Sequence, residues 1–207
     1  MFLRNFARNE NGSVLVEATL LVPFLFVFLL GSIDFLYAFF EWNMANKAVQ
    51  LGARLAAISD PVSSDLSTLT GLSDTVLPGE PMPAFTRACS SLSPTGATGT
   101  CTDGTYSQAA MRRIVFGDPQ ATACSDTGSG MCSLDASITP ANVTITYTQT
   151  GLGYAGRPGG PVPTITVSLR NLPFRFFFLD ALLRSADMTI PPMTTTTTGE
   201  HLSSRPS

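Results

Sequence analysis

The stretch Gly12-Ser13-Val14-Leu15-Val16-Glu17 begins an apolar run that continues to Phe40. An acidic residue, Glu17, lies near the start of this run, five positions after the glycine. A carboxylate placed centrally in a membrane helix costs about 2.5–3.5 kcal/mol, so an acid there has either a function or a position near the membrane edge. A short polar leader, Met1–Gly12, precedes the run. The pattern is typical of a processing signal joined to a helix that must first lie in a bilayer.

The apolar run is long enough to cross a bilayer once. A hydrocarbon core of about 30 Å takes about 20 helical residues, and a count from Leu15 reaches a second acid, Asp34. Aromatic residues suited to the headgroup zone follow, from Phe35 to Trp42. A cleaved secretory signal peptide is the ordinary alternative, but its apolar core should span only about 7–15 residues and end in small residues. This run is longer, and Gly31-Ser32 leads directly into larger residues. We therefore predict a transmembrane segment at about residues 15–36.

The charges on the two sides of the span do not decide its orientation. Arg4 and Arg8 precede it, and Lys47 and Arg54 follow it within the roughly 15–20 residues over which positive charges influence orientation. The numbers of positive charges on the two sides are therefore nearly equal. The cysteines, which all lie after the span, decide it instead, because disulfides form in an oxidising compartment. We expect a single span with Met1–Gly12 in the cytoplasm and the C-terminal region outside.

Pro23 lies inside the span, where a proline removes a helix hydrogen bond. Two interpretations of Pro23 are open: it produces a simple kink, or it marks a point at which the helix bends or melts after leaving the bilayer. Beyond the span, Glu41 to Ala57 contains no proline and one glycine, and its alanines favour helix. Small residues recur there every four positions, a spacing that allows close packing on the chain's own domain or on another helix. The helix is predicted to end near Ser59-Asp60-Pro61.

Composition and motifs argue against several classes of function. The 207 residues carry a net charge of −3, and their cations are scattered, so a nucleic-acid-binding face is not predicted. The segment Gly151–Gly156 has the glycine spacing of a dinucleotide-binding turn, but Pro158 and Pro161 forbid the helix that such a turn must open. His201, the only histidine, lies in a polar tail without supporting groups, so no catalytic set is visible. We predict no enzyme activity, no cofactor, no small-molecule substrate and no nucleic-acid partner.

Four cysteines lie in the region after the span: Cys89, Cys101, Cys124 and Cys132. They form no Cys-x-x-Cys pair, so a zinc or other metal site is poorly supported. An even number in a Ser/Thr/Gly-rich sequence is typical of two disulfides. Sequential pairing, Cys89–Cys101 and Cys124–Cys132, closes the shortest loops, although four cysteines allow three connectivities.

The remaining sequence predicts a small domain of mixed helix and strand. Residues 60–83 are rich in Ser, Thr and Pro and are predicted to form a linker or loose loop. A short helix is predicted at Tyr106–Phe116, closed by Gly117. Alternating apolar and polar residues predict an antiparallel strand pair at Val143–Thr148 and Thr164–Leu169, joined by a Gly/Pro-rich loop.

Two further elements are predicted toward the C-terminus. Phe174–Leu183 has apolar residues at an amphipathic helical spacing. Its phenylalanines are expected in the core rather than in a membrane wedge, because ten residues cannot span a membrane. Met188–Thr195 is a candidate third strand. The predicted class is α+β, with the following parts: leader 1–12, long N-terminal helix 13–59, linker 60–83, extracytoplasmic domain 84–195 with an antiparallel sheet and short helices, and polar tail 196–207.

The N-terminal residues together resemble the processing site of type IV prepilins, in which a membrane aspartic peptidase cuts after the glycine. Here Ser13 would become the new N-terminus, and Glu17 is the acid associated with pairing to the N-terminal amine of a neighbouring subunit. Within that group the chain is most similar to the TadE-like proteins of tight-adherence pili. The resemblance covers Gly12–Glu17, the apolar stretch through Leu30, Asp34 and the alanine-rich continuation Gly52–Ala57.

The resemblance implies a minor pseudopilin of a tight-adherence, Flp-type pilus that acts in pilus assembly, surface adhesion and biofilm formation. Its partners would be the bacterial inner membrane, the prepilin peptidase, other pseudopilins and tight-adherence assembly proteins. Its domain would be periplasmic or incorporated into the pilus. The alternative is a permanently anchored periplasmic scaffold or adaptor of the same secretion machine. A membrane-anchored envelope enzyme is a third hypothesis, which lacks a visible catalytic set.

Overall fold

The structure, a computed structural model, describes residues 10–125, 128–174, 176–178, 188–199 and 202. The chain divides into two compact units, and we describe each by itself. The helical unit comprises residues 1–40 and 174–188, and the sheet unit comprises residues 41–173 and 189–207. Residues 1–9 of the predicted leader and His201 lie outside the described residues.

The longest element is the helix α1, Glu10–Ile58, with 49 residues. It continues without a break through Pro23, as a helix can when it bends around the lost hydrogen bond. It ends one residue before Ser59-Asp60-Pro61, where proline disfavours helix in the residue that precedes it. The prediction of one long helix that extends past the apolar run is confirmed.

The sheet unit is built around a five-stranded antiparallel sheet with the strand order β2-β1-β3-β4-β7. A second sheet pairs β5 with β6. The strands are β1 (Thr86–Ser91), β2 (Gly99–Cys101), β3 (Val143–Thr148), β4 (Thr164–Leu169), β5 (Leu172–Phe174), β6 (Met188–Ile190) and β7 (Met193–Thr198). The predicted antiparallel pair is β3 and β4, with the bounds expected, and the α+β class is confirmed.

Strict alternation in β3 and β4 sends one set of side chains into the core. Ile145 lies opposite Val167 and Tyr147 opposite Ile165, and all four are fully buried. The intervening threonines pair on the other face of the sheet, where the hydroxyls of Thr166 and Thr196 lie 3.2 Å apart. Cross-strand pairs of this kind stabilise a sheet and fix its register.

The short helix α2, Gln108–Phe116, is held at both ends by its caps. The Ser107 hydroxyl accepts a hydrogen bond from the Ala110 amide, and Gly117 closes the helix in the left-handed conformation at φ 87°. The predicted end at Phe116 and the capping glycine are confirmed. The helix begins two residues later than predicted because Ser107 takes the cap position.

The segment 60–83 packs on the sheet unit more closely than a loose loop would. Val62 and Leu66 are fully buried, and a 3-10 turn forms at Ser64–Ser67. The Val62 amide donates a hydrogen bond of 3.0 Å to the hydroxyl of the buried Tyr147, whose pKa is raised by burial. Apolar residues within a Ser/Thr/Pro-rich sequence therefore tie this segment to the core.

The prediction for Phe174–Leu183 is wrong at its start. Phe174 belongs to β5, Phe177 and Phe178 form a bend, and Phe176 has no regular structure. Residues 175 and 179–183 lie outside the described residues. Pro173 lies within β5, and the amides of Phe177 and Phe178 bond to a distant carboxylate instead of a helical carbonyl. The expected core burial is also wrong, since Phe177 is 64% and Phe178 43% exposed.

The candidate strand Met188–Thr195 is two strands. Pro191 and Pro192 separate β6 from β7, because neither has an amide to donate to a neighbouring strand. The strand β7 then continues to Thr198, three residues into the segment predicted as a polar tail, where its threonines pair with β4.

Candidate functional site

The first part of α1 is apolar on every side and exposed along its whole length. All residues from Val14 to Leu29 are exposed, and the window apolar enough to cross a membrane has none of its residues buried in the protein. Water-exposed apolar surface of this extent marks a membrane or protein contact. The helix is therefore compatible with a single-pass membrane anchor, as expected.

Gly12 and Ser13 lie within the first turns of α1, which begins at Glu10. The predicted processing bond is thus part of the helical backbone. The predicted new N-terminus, Ser13, lies one turn of helix before Glu17, since a turn takes 3.6 residues.

Glu17 differs from the other polar groups of the apolar stretch. The Thr19 hydroxyl donates to the Val16 carbonyl at 2.8 Å, and the Ser32 hydroxyl donates to the Phe28 carbonyl at 2.8 Å, so both are satisfied within the helix. The Glu17 side chain is exposed, and within the described part of the chain it has no hydrogen bond or ion pair. A carboxylate in an apolar surrounding needs a partner, and this chain supplies none among those residues.

Asp34, the second acid of the helix, is 1% exposed. Its two carboxylate oxygens accept hydrogen bonds from consecutive backbone amides, at 3.1 Å from Phe177 and 2.9 Å from Phe178. The Tyr37 ring lies edge-on to that of Phe177, with centroids 4.9 Å apart. Sequence analysis placed Asp34 at the membrane boundary but missed this contact, which joins residues 143 positions apart. No local pattern signals such a pairing.

The second part of α1 belongs to the sheet unit and contributes one wall of its core. The small residues at four-residue spacing are buried within the sheet unit: Ala45, Ala48, Val49, Gly52, Ala53 and Ala56. A side chain at Gly52 would force Met131 to move, because its Cβ would lie 2.5 Å from the Met131 sulfur. Lys47, Gln50 and Arg54 remain exposed. Of the two predicted uses of the small residues, packing on the chain's own domain is the one observed.

Both disulfides have the sequential pairing that closes the shortest loops. Cys89 bonds Cys101, and Cys124 bonds Cys132. Cys89 and Cys101 lie directly opposite each other in β1 and β2, a register that the sequence did not reveal.

The described residues contain no group of three or more His, Cys, Asp or Glu that could hold a metal ion. A surface cavity of about 520 Å³ is lined by apolar residues that include Leu69, Met82 and Phe85 together with the charged residues Arg87 and Asp103. The Gly151–Gly156 segment lies in the loop between β3 and β4, which confirms the predicted hairpin loop, and it does not lead into a helix.

Comparison with known proteins gives a match for the first part of the chain only. No curated protein and no solved structure matches the sequence. The sequence model of one family, described as TadE-like protein, matches residues 12–54, about a fifth of the 207 residues. The match begins at the predicted processing glycine, includes Glu17 and Asp34, and ends in the buried part of α1. Over residues 12–54 this chain is therefore similar to the TadE-like proteins, a family of structural pilus components.

Proposed function

We propose that this chain is a minor pseudopilin of a tight-adherence, Flp-type pilus, cut after Gly12 by a prepilin peptidase and assembled through α1. One observation carries the proposal: within an exposed apolar helix matched by the TadE-like family, Glu17 has no partner among the described residues. A subunit that waits in the inner membrane and then packs against other helices needs an apolar surface of this kind. The pilus in turn would act in surface adhesion and biofilm formation.

The chemistry of assembly follows from the distance between Ser13 and Glu17. Cutting after Gly12 frees an α-ammonium one turn before the carboxylate, and neither charge is tolerated alone in hydrocarbon. The ammonium of one subunit pairs with Glu17 of its neighbour, neutralises both charges and fixes the axial register of the two helices. A polar group specifies register in helix packing elsewhere in the same way.

The proposed topology places the N-terminus in the cytoplasm and the sheet unit in the periplasm. The two disulfides support this orientation, because disulfides persist in oxidising compartments. The size of the sheet unit supports a minor subunit, since the major subunit of such a pilus is expected to be a very short chain.

The first test is the mass of the mature chain, measured with and without a prepilin peptidase in the same cells. A mature form that begins at Ser13 only when the peptidase is present supports the pseudopilin. A chain that keeps Met1–Gly12 in both cases contradicts it and favours the permanently anchored scaffold or adaptor.

The second test is Glu17→Val, with Thr19→Val as the matched control. We expect Glu17→Val to insert in the membrane and to be cut like the wild type, but to reduce the number of pili at least tenfold, the equivalent of losing about 1.4 kcal/mol of pairing. Thr19→Val removes a hydroxyl bonded within its own helix and should leave piliation unchanged. Pili are counted by electron microscopy, and normal piliation in Glu17→Val would contradict the proposed pairing.

A further inference from the structure

A second apolar surface of the helical unit lies outside α1. It is the aromatic segment, which we define as Phe174, Phe176, Phe177 and Phe178. The rings of Phe174 and Phe176 contact each other edge-on at 4.9 Å, and Tyr37 of α1 contacts both Phe174 and Phe177. Phe177 and Phe178 nevertheless keep 64% and 43% of their surface exposed.

The Asp34 carboxylate fixes the aromatic segment to α1 at one level. Its two oxygens hold the amides of Phe177 and Phe178 at 3.1 and 2.9 Å. Hydrogen bonds to a charged acceptor are about twice as strong as neutral ones. Loss of the carboxylate would leave these two backbone amides without their acceptor oxygens. The segment is therefore held by a specific polar contact, and its exposed rings are not a consequence of loose packing.

The level of Asp34 along the helix coincides with the end of the predicted span. About 20 residues from Leu15 cross the hydrocarbon core, so Asp34 reaches its outer boundary. Phe35 and Leu36 of α1, 70% and 67% exposed, lie at the same level as the aromatic segment. Aromatic side chains concentrate at this depth in membrane proteins, because an apolar ring there is removed from water without entering the acyl-chain region of the bilayer fully.

The composition of this surface favours lipid over a neighbouring helix. Helices that pack on one another in membranes do so through small residues that allow close approach. The surface at Asp34 instead presents large rings, and it continues directly into the wholly exposed apolar part of α1. A lipid headgroup and acyl boundary accommodates such rings without a matching surface.

We propose that the aromatic segment inserts into the outer interfacial layer of the bilayer, as a second membrane contact that Asp34 holds in position. The proposal rests on the membrane anchoring in the proposed function. It makes Asp34 a positioning residue: its carboxylate holds the segment, and Phe177 and Phe178 make the contact with lipid.

The test uses fluorescence of the full chain in vesicles of phosphatidylcholine and phosphatidylglycerol. Trp42 is the only tryptophan, so Trp42→Phe provides a silent background in which Phe177→Trp is the reporter. Lipids brominated near the headgroup end or near the terminal methyl of the acyl chain quench indole at different depths. We expect blue-shifted emission and about twofold quenching by the shallow bromolipid, as for other interfacial aromatic residues, with weaker quenching by the deep one.

Four further variants in the same background make the result decisive: two reference positions and two substitutions of Asp34. Phe24→Trp, at a 78% exposed position within the span, should be quenched most by the deep bromolipid. Leu92→Trp, at a 70% exposed position of the sheet unit, should be unquenched and should show the long-wavelength emission of a tryptophan in water. Adding Asp34→Leu to the Phe177→Trp reporter should reduce its shallow quenching, whereas Asp34→Asn, which keeps one acceptor oxygen, should retain part of it.

Two results would overturn the proposal. Emission of the Phe177→Trp reporter like that of Leu92→Trp would place the segment in water. Blue-shifted emission without quenching by either bromolipid would show that protein, such as a neighbouring subunit, covers it. If neither Phe24→Trp nor Phe177→Trp is quenched, both the membrane anchoring and the contact of the aromatic segment are contradicted. If Phe24→Trp is quenched and Phe177→Trp is not, only the contact of the aromatic segment is contradicted.

Discussion

Three acidic side chains of this protein occupy three different environments, and each has a different consequence. Glu17 is exposed on an apolar helix and has no partner among the described residues, so it needs another molecule. Asp34 is buried and satisfied by two amides of the same unit, so it acts within the chain. Asp65 lies at the surface of the sheet unit, where the Ser63 hydroxyl and the Arg87 guanidinium donate to it, the latter at 3.2 Å.

The environment of Asp65 makes part of the stability of the sheet unit depend on pH. Burial by itself would raise the pKa of this carboxyl, but the hydrogen bonds from Ser63 and Arg87 outweigh it and lower the pKa below its ordinary value of 3.8. A group whose pKa is lower in the folded state stabilises the fold above its unfolded pKa. This contribution is complete above about pH 5 and is lost as the pH falls through the lowered, folded-state value.

We therefore expect Asp65→Asn to lower the free energy of unfolding at pH 7 by about 0.5–1 kcal/mol, the range of partly exposed ion pairs. The difference from the wild type should shrink to zero in strong acid. Urea unfolding at a series of pH values measures both. Asp103→Asn is the control, because Asp103 is 78% exposed and 3.8 Å from Arg87, and it should change little. A loss for Asp65→Asn that is independent of pH would contradict the electrostatic origin.

At the same scale, local sequence signals predict individual residues but not the contacts that those residues make. Glu17 and the capping Gly117 were recognisable because their signals are local: an acid in an apolar run, and a glycine after the last helical turn. The disulfide pairs were left open, because the choice among three connectivities depends on the strand register that places Cys89 opposite Cys101. The Asp34 contact was not predicted, because its partners are backbone amides, which every residue type except proline provides.

At the scale of elements, α1 combines two surfaces with different demands. Its first part is apolar all round, and its second part buries a stripe of small residues against the sheet unit. The sequence predicted both parts and the end of the helix, since hydropathy, alanine content and Pro61 are local features. It did not predict which surface the small residues would contact, because spacing alone fits a neighbouring helix as well as the chain's own sheet.

The close approach at Gly52 leads to a prediction for this element. Gly52→Val places a side chain against Met131, which is fully buried, and should destabilise the sheet unit by about 1–3 kcal/mol through overpacking. Gln50→Val is the control, because it adds the same side chain at an exposed position of the same helix and should cost only a few tenths of a kcal/mol in helix propensity, as expected for the roughly 0–0.7 kcal/mol range of ordinary residues. Urea unfolding of the solubilised chain, followed by circular dichroism, compares them.

A double-mutant cycle makes this prediction specific to the contact. Met131→Ala removes the obstructing side chain, so the combined Gly52→Val and Met131→Ala variant should be more stable than the sum of the two single effects implies. Equal losses for Gly52→Val and Gln50→Val, or additive losses in the cycle, would show that packing against Met131 does not restrict position 52.

The aromatic segment shows where element prediction failed. The spacing of Phe174, Phe177 and Phe178 fits a helical face, but Pro173 and the pairing of β5 with β6 keep the chain extended at Phe174. The Asp34 carboxylate then takes two amides that a helix would have used or left to solvent. Local periodicity was outweighed by contacts with distant parts of the sequence, one from a strand and one from a carboxylate.

At the scale of the whole molecule, the buried core and the disulfides lie in one unit, and the exposed apolar part of α1 lies in the other. Among the described residues, the members of the buried apolar core lie between residues 45 and 202, and none lies in the exposed part of α1. Both disulfides also lie within the sheet unit. The sheet unit therefore contains the interactions that a stable domain needs, while the apolar part of α1 contributes surface for a membrane or for other helices.

A chain that begins at Glu41 should consequently fold without the anchor. We expect it to unfold in one cooperative thermal transition within about 4 °C of the full chain in detergent, since for a domain of this size that interval corresponds to about 1 kcal/mol. The fragment lacks Asp34, so the amides of Phe177 and Phe178 face water. A second version of the fragment carries Phe177→Ser and Phe178→Ser, which remove the apolar rings that would promote association. Circular dichroism gives the transition, and alkylation without reductant counts free thiols, of which we expect none. A fragment that lacks a cooperative transition in both versions, or that exposes thiols, would mean that the first part of α1 is needed to fold the domain as well as to anchor it.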